Sequence, residues 1–278
     1  MDAISELKDK GYVILKNVFP ESELVPMRQL TEDIIEYGEK NLEDPFSPYF
    51  MRHRTDQGAL YDLYYRHPEF QRMAQTPVIL DTLEGVLGRD IFLYENSLVY
   101  KPKGKNNEVP WHQDFINRSH EPTKYIVWIA FDNVTIENGA MKVLPGSHKL
   151  GFLPWYHVPG ETHHTRLQLE GVDTEAFEHT IMNAGDVLIF HQLTIHSSDR
   201  IASTQPRRAF RYATQGFDAI FTPRAVPVVL RGGRPQALTT RFPKPYEAPQ
   251  APVPVPQPPP PSFLRRAIRA VGRRMANV

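Results

Sequence analysis

Cysteine is absent from this chain of 278 residues. Its absence excludes disulfide scaffolds, cysteine-ligated zinc sites and iron–sulfur clusters, and it fits a reducing compartment. Neither charge is in excess, since 32 basic residues face 32 acidic ones, which argues against a general nucleic-acid binder. No apolar run approaches the roughly 18 residues of a membrane-spanning helix, and residues 1–8 lack the apolar stretch of a signal peptide. We therefore expect a cytoplasmic protein without nucleic acid as a partner.

Helical periodicity is concentrated near the N-terminus, and short strands follow it. After a strand at 11–15, helices are predicted at about 20–40 and over one stretch at 68–87. Strand-like segments separated by Gly, Pro and Asn turns lie at 92–100, 125–131, 141–144, 187–190 and 209–217. This order predicts an α+β fold in which N-terminal helices pack on a double-stranded β-helix, a cupin-like jelly-roll barrel.

Two distant segments carry residue types that bind metal ions. His112 and Asp114 are two positions apart, so on a β-strand both would point to the same face. A second histidine from a neighbouring strand would complete a 2-His-1-carboxylate site, which leaves three coordination positions open, as non-heme Fe(II) oxygenases need. Downstream, Arg207 is of the residue type suited to the distal carboxylate of an organic acid.

The distal ligand has two candidates, His191 and His196. They are five positions apart and would face opposite ways on a continuous strand. We favour His196, because Ser197 and Ser198 follow it and Arg207 lies a short loop away. His191 ends an apolar run and fits a packed core histidine. The remaining histidines are expected to be surface or structural residues: His53, His67, His120, His148, His157, His163, His164 and His179.

Four ordered motifs make the chain resemble the phytanoyl-CoA dioxygenase family of Fe(II)- and 2-oxoglutarate-dependent oxygenases. They are the Trp-His-Gln-Asp segment at 111–114, the Val-Trp-Ile-Ala-Phe-Asp segment at 127–132, the segment from Glu-Asn-Gly to Pro-Gly-Ser-His at 137–148, and the Gly-Asp-Val-Leu-Ile-Phe-His segment that continues through the histidine at 196 to Arg-Arg-Ala at 207–209. With the N-terminal strand and helix, the resemblance covers about residues 10–220.

The resemblance implies a dioxygenase that hydroxylates or otherwise oxidises a small organic substrate with Fe(II), O2 and 2-oxoglutarate, releasing succinate and CO2. It implies that the iron ligands are His112, Asp114 and His196. It also implies that Arg207 binds the far carboxylate of 2-oxoglutarate and that Ser198 assists it. Trp128 matches a residue that lines the cosubstrate pocket, although it fits a core aromatic equally well. Halogenating relatives replace the carboxylate ligand by a small residue, so Asp114 favours hydroxylation.

Three further positions bear on the resemblance. Lys101 matches a lysine that often precedes the iron motif, but we expect a solvated residue at the end of a strand. Ile201 replaces an asparagine that the family often carries, which leaves the hydrogen bonding of that loop open. For the substrate pocket we consider Phe115, Arg211 and the basic cluster at 52–54, which also fits a solvated loop.

Composition changes sharply after about residue 240. We predict an oxygenase domain at 1–240, a proline-rich linker at 241–262 and a basic amphipathic helix at 263–278. An apolar stripe lies opposite five arginines: Leu264, Ile268, Val271, Met275 and Val278 against Arg265, Arg266, Arg269, Arg273 and Arg274. Two interpretations stay open. The helix contacts an anionic membrane or a partner surface, or the segment packs on the barrel or stays disordered.

Two functions of other classes also remain open. The first is a cupin-like metal protein or isomerase that turns over no 2-oxoglutarate, and Arg207 argues against it. The second is a tail-tethered interaction protein on an inactive barrel, which would leave the metal motif unexplained.

Overall fold

A computed structural model describes residues 2–40, 50–51, 58–101, 108–158, 166–216 and 228–232. The predicted linker and C-terminal helix lie outside these residues, as does the basic cluster at 52–54. Among the described residues, no helix is both long and apolar enough to cross a membrane.

The described residues contain four α-helices, which precede most of the sheet: α1 (Ala3–Lys10), α2 (Glu21–Lys40), α3 (Pro68–Ala74) and α4 (Pro77–Leu87). The predicted helix at 20–40 is confirmed, and its residues Leu24, Met27 and Ile34 are buried. Helix α1 was not predicted, because it has only eight residues and Leu7 is the one buried side chain among them. Its caps were readable, since Asp2 accepts a hydrogen bond from the Ser5 amide at 2.9 Å.

The predicted stretch at 68–87 is not one helix but two. Thr76 has an extended backbone, with φ −62° and ψ 125°, and Pro77 begins α4. Proline has no amide hydrogen to continue the helical ladder, and it disfavours helical backbone in the residue before it. The prediction of one helical stretch was therefore wrong at the residue where Pro77 interrupts it.

Fourteen strands complete the described fold. They are β1 (Tyr12–Leu15), β2 (Phe50–Met51), β3 (Gly58–Tyr61), β4 (Ile91–Tyr100), β5 (Val109–His112), β6 (Lys124–Ala130), β7 (Met141–Val143), β8 (Trp155–Tyr156), β9 (Arg166–Leu167), β10 (Glu178–His179), β11 (Val187–His191), β12 (His196–Ser198), β13 (Arg208–Gly216) and β14 (Val228–Arg231). Short 3-10 helices lie at Leu63–Tyr65, Ile116–Arg118 and Ser147–Leu150. The predicted strands are confirmed, with ends that differ by about one residue.

The strands form a larger sheet in the order β1-β11-β6-β13-β4-β3-β2, with β14 also paired to β4, and a smaller sheet in the order β10-β7-β12-β5. Strands β8 and β9 form a separate pair. The pairings are antiparallel and join strands far apart in sequence. This is the predicted jelly roll, in which two antiparallel sheets face each other.

Strand β13 shows how the two faces of the larger sheet differ. Phe210 and Tyr212 pack in the core that includes the helices, and the Phe210 ring lies 4.7 Å from that of Phe70 in α3. Ala209 and Ala213 pack in the core between the two sheets. Large side chains therefore attach the helices to the sheet, while small ones flank Arg211 on the inner face and leave room for its side chain.

Candidate functional site

The structure brings the three predicted metal ligands together. His112 ends β5 and His196 begins β12, and these two residues are direct partners across the smaller sheet. The Asp114 Oδ1 atom lies 3.7 Å from His112 Nε2. One ligand atom from each of the three side chains lies within 4.8 Å of the other two. This separation suits three donors around a single ion.

Asp114 reaches this position from a turn, which corrects the expectation that it shares a strand face with His112. Strand β5 ends at His112, and the Asp114 amide donates to the Gln192 carbonyl at 2.9 Å. Phe115 follows with a left-handed backbone, at φ 54°, an uncommon conformation for a residue with a side chain. Gln113 anchors the turn through two side-chain hydrogen bonds to backbone carbonyls. The turn, rather than the strand pleat, aims the carboxylate.

Backbone carbonyls set the orientation of both imidazoles. His112 Nδ1 lies 2.9 Å from the Pro110 carbonyl, and His196 Nδ1 lies 2.8 Å from the Thr194 carbonyl. A neutral imidazole that donates from Nδ1 presents the lone pair of Nε2 to a metal. Burial lowers the pKa of His196, which favours the neutral form that binds metal ions.

The carboxylate of Asp114 is paired with Arg211. Arg211 Nη2 donates to Asp114 Oδ2 at 2.9 Å, and Nη1 donates to Glu95 Oε1 at 2.7 Å. Burial alone would raise the pKa of Asp114, but the charge of Arg211 and then the two histidines lower it to about 2. Arg211, a sequence candidate for the substrate pocket, lies between two carboxylates in the structure. Glu95 had no signal in the sequence.

Arg207 is buried immediately before β13. Its guanidinium donates to the Gly139 carbonyl and lies over the Trp128 ring, with Cζ 5.3 Å from the ring centroid. Burial lowers the pKa of Arg207 to about 10. Among the described residues, Arg207 Nε is buried without a hydrogen-bond partner. A buried cation with an unsatisfied donor is suited to an anionic ligand.

Lys101 contradicts the expectation of a solvated lysine. Its side chain is buried, and Nζ donates to the Asp199 carbonyl at 2.7 Å. Burial, followed by the positive charge of Arg207, lowers the pKa of Lys101 to about 6. Ser198 is also buried, two residues after His196 on β12. Both side chains therefore belong to the interior of the barrel.

The loop that contains Ile201 is held by backbone hydrogen bonds. The amides of Ala202 and Ser203 donate to the Glu137 carbonyl at 2.9 and 3.0 Å. Gly139 has a positive φ of 87°, and a Cβ there would come within 2.9 Å of Lys101 Nζ and 3.1 Å of Ile201 Cγ2. The turn that supplies the Arg207 acceptor therefore requires glycine at this point.

His191 does not join the ligand group. Its Nδ1 accepts a hydrogen bond from the Leu193 amide at 3.0 Å, and its ring packs against Tyr125 and His148. Of the two histidines that the sequence left as candidates, His196 is therefore the one that shares the site.

Of the pocket candidates, Phe115 lies beside Arg211, with its ring centroid 5.7 Å from the Arg211 Cζ.

Comparison with known proteins identifies the family. The family model described as phytanoyl-CoA dioxygenase matches residues 7–209. The chain belongs to the phytanoyl-CoA dioxygenase family. Human peroxisomal phytanoyl-CoA dioxygenase is 27% identical over an alignment of 221 residues that covers 73% of this chain and 64% of that protein. L-proline trans-4-hydroxylase from Streptomyces griseoviridis is 29% identical over an alignment of 157 residues that covers 49% of this chain and 59% of that enzyme. The chain thus spans slightly less than two thirds of these relatives.

Solved structures agree on the fold. The non-heme monooxygenase ThoJ in its apo form has a TM-score of 0.67 at 20% identity, covering 84% of this chain and 85% of that one. EctD from S. alaskensis with bound Fe has a TM-score of 0.63 at 18% identity, covering 84% of this chain and 86% of that one. These likenesses confirm the jelly-roll barrel, and the family match confirms the resemblance that the motifs predicted.

Proposed function

We propose that this protein is an Fe(II)- and 2-oxoglutarate-dependent dioxygenase that hydroxylates, or otherwise oxidises, a small organic substrate and releases succinate and CO2. The observation that carries the proposal is the convergence of His112, Asp114 and His196 within 4.8 Å. Family membership supports the same chemistry.

The donor set fits iron. Two neutral imidazole nitrogens and one carboxylate oxygen form the facial triad of non-heme Fe(II) oxygenases, which leaves open positions for other ligands. Pro110 and Thr194 fix the imidazoles through their carbonyls, and such partners orient metal ligands. When bound, iron would supply the oxygen chemistry that amino-acid side chains lack. The protein contributes binding, orientation and a buried site.

The surroundings of Arg207 support a dicarboxylate cosubstrate. Its buried guanidinium, with Nε unsatisfied among the described residues, would bind the far carboxylate of 2-oxoglutarate. Trp128 supports one side of the guanidinium, and Ser198 would offer a hydroxyl. Lys101 adds a buried amino group near the Arg207 guanidinium. A cupin-like isomerase that does not use 2-oxoglutarate would leave the buried Arg207 guanidinium unexplained.

The substrate is proposed only as a class. The relatives' names refer to phytanoyl-CoA and to L-proline, which are both small-molecule substrates of very different size. Asp114 favours hydroxylation over halogenation, because it occupies the position at which a halide would need space. Phe115 lies next to the carboxylate and beside Arg211, so we place it in the wall of the substrate pocket.

An anaerobic titration tests the proposed function. Fe(II) and 2-oxoglutarate added together should produce a weak visible charge-transfer band, and oxygen should then yield succinate. The matched controls are Asp114→Ala, which should lose both signals, and Fe(II) alone, which should give no band. A wild-type protein that binds Fe(II) but shows no band with 2-oxoglutarate would support the cupin-like alternative. A screen of small metabolites for stimulated succinate release would then narrow the substrate.

For the C-terminal segment we propose a peripheral membrane contact in the cytoplasm. The five arginines at 263–278 and the apolar stripe opposite them support an interfacial helix. The proline-rich linker at 241–262 would let this helix reach away from the oxygenase domain at 1–240. With about sixteen residues the segment is marginal as an isolated helix in water, so we expect it to fold on contact.

A further inference from the structure

Arg211 links the Asp114 carboxylate of the proposed metal site to a second carboxylate, that of Glu95, through two ion pairs. Arg211 donates to Asp114 Oδ2 at 2.9 Å through Nη2 and to Glu95 Oε1 at 2.7 Å through Nη1. The three side chains are between 11% and 16% exposed, so solvent screens them little. Because its two terminal nitrogens are held by different carboxylates, the guanidinium has one orientation.

The two oxygens of Asp114 consequently have different neighbours. Oδ2 accepts from Arg211, whereas Oδ1 lies 3.7 Å from His112 Nε2. Nε2 is the nitrogen that His112 presents to a metal, since its Nδ1 lies against a backbone carbonyl. Oδ1 is therefore the oxygen on the metal side, and Oδ2 is withheld from it.

Withholding one oxygen matters for the proposed reaction. Three single-atom protein ligands leave three open positions, which a chelating keto acid and dioxygen would together fill. A carboxylate that bound through both oxygens would take one of those positions. We propose that Arg211, anchored by Glu95, is a positioning residue that keeps Asp114 a one-oxygen ligand and so keeps a coordination position open.

The local fold explains why Arg211 can do this. It lies on β13 directly opposite Trp128 of β6, on the inner face and between Ala209 and Ala213. These small neighbours leave space for a long side chain, and the Phe115 ring lies 5.7 Å from the guanidinium carbon. The turn that contains Asp114 is held by its hydrogen bond to Gln192, and the strand that carries Arg211 is held by its pairing with β4 and β6. The two segments meet at the ion pair.

The inference rests on the proposed iron site and can be tested with metal alone. Arg211→Met removes a positive charge near the metal and frees Oδ2, so Co(II) should bind about threefold or more tightly than to wild type. Glu95→Gln leaves the charge of Arg211 without its full counter-charge, so Co(II) should bind more weakly by a similar factor. A merely structural ion pair would weaken metal binding in both variants.

Arg211→Lys separates charge from positioning. Lysine keeps the positive charge but is a single donor point and cannot hold both carboxylates as the guanidinium fork does. Its Co(II) affinity should stay within about twofold of wild type, because the charge is kept. Its kcat for succinate formation should fall by about tenfold or more, with little change in the KM for 2-oxoglutarate, as for loss of a partner that orients a metal ligand.

The experiment measures Co(II) affinity by calorimetry and the visible Co(II) band, which reports coordination, on the full chain. Arg118→Met is the matched control, because Arg118 also lies over the Phe115 ring, at 6.0 Å, and donates to Tyr94. It should match wild type. Opposite affinity shifts in Arg211→Met and Glu95→Gln, with a changed band in the first, support the inference.

Shifts in the same direction, or a wild-type affinity and band in both variants, would overturn it. If Arg211→Met does not fold, Arg211→Lys decides the question. A Co(II) affinity close to wild type together with slow turnover supports the inference, whereas weakened Co(II) binding or wild-type turnover overturns it. Failure of the proposed function would look different, because wild type itself would then bind no Co(II) or would give no Fe(II)–2-oxoglutarate band.

Discussion

Two adjacent arginines should respond to mutation in opposite ways. Arg208 forms a bidentate pair with Asp132, with Nε to Oδ2 at 2.9 Å and Nη2 to Oδ1 at 2.8 Å. Its backbone amide also donates to Oδ2 at 2.9 Å, and both side chains are 10% exposed. Arg207, one residue earlier, donates to the Gly139 carbonyl and keeps Nε unsatisfied among the described residues. One arginine therefore stabilises the fold, and the other is available to a ligand.

Arg208→Ala would leave the Asp132 carboxylate buried without its main counter-charge. Breaking a buried pair in this way costs about 3–5 kcal/mol. In a chain of this size, that loss lowers the melting temperature by roughly 10 °C. The KM for 2-oxoglutarate should be unchanged below the melting transition, because the Arg208 guanidinium is occupied by Asp132.

Arg207→Ala should do the reverse. Loss of an arginine–carboxylate contact in a buried pocket costs roughly 2–5 kcal/mol of binding, so the KM for 2-oxoglutarate should rise by at least about tenfold. Metal content should not change. The melting temperature without ligand should be equal to or higher than that of wild type, because the mutation removes a buried charge that is incompletely paired.

The assay combines succinate formation over a range of 2-oxoglutarate concentrations with thermal unfolding in the absence of 2-oxoglutarate, since bound ligand would stabilise wild type selectively. Asp132→Asn is the matched control and should reproduce the instability of Arg208→Ala. The reasoning is refuted if Arg207→Ala is kinetically silent while Arg208→Ala carries the KM defect, because the anion would then be bound one residue later.

Three further outcomes are expected. Asp114→Ala should abolish both turnover and the Fe(II)–2-oxoglutarate band, because it removes the only anionic ligand of the proposed site; retained iron-dependent turnover would contradict this. Burial, followed by the charge of His148, lowers the pKa of His191 to about 4 in the folded protein. In the unfolded chain the pKa of this histidine is about 6.5, so between these two values the unfolded chain binds a proton that the folded protein does not. The free energy of unfolding should therefore fall by about 2 kcal/mol as the pH falls from 6.5 to 4. In denaturant titrations, His191→Asn, whose side chain can still accept a hydrogen bond from the Leu193 amide, should make this free energy depend less on pH. An unchanged pH dependence would exclude His191 as its source. Deleting 243–278 should leave 2-oxoglutarate turnover in solution intact and reduce co-sedimentation with anionic vesicles, whereas equal vesicle binding would reject the membrane contact and lost turnover would show that the segment belongs to the fold.

Much of the fold was predictable from local pattern. Strands β6 and β11 are nearly continuous apolar runs, whereas β4 and β13 mix aliphatic and aromatic residues with polar ones. The ends of all four were predicted to within about one residue. Helix α1 was not predicted because it is only eight residues long and carries three apolar side chains, Ala3, Ile4 and Leu7, which are too few to stand out as a periodic stripe. The break before Pro77 was readable from proline chemistry but was not predicted, since the apolar pattern continues on both sides of it.

The residue types of the site could be read from the amino-acid sequence alone. The pairing of His112 with Asp114, the later His196 and the spacing to Arg207 are properties of the chain, and so is the match to the family's motifs. The arrangement of these groups in space depends on how distant segments of the chain pack together. Asp114 is aimed by a turn that Gln192 holds, and such long-range contacts leave no trace in local spacing.

Burial and charge pairing were likewise decided only in three dimensions. Lys101 has the sequence context of a solvated residue, yet the barrel closes over it and lowers its pKa to about 6. Arg211 is one of many arginines in the sequence. It meets Glu95 because β13 pairs with β4, and it meets Asp114 because the turn after β5, a strand of the smaller sheet, lies against its guanidinium. A residue's chemistry is set by its type, but its solvation and its partners depend on which distant strands pack around it.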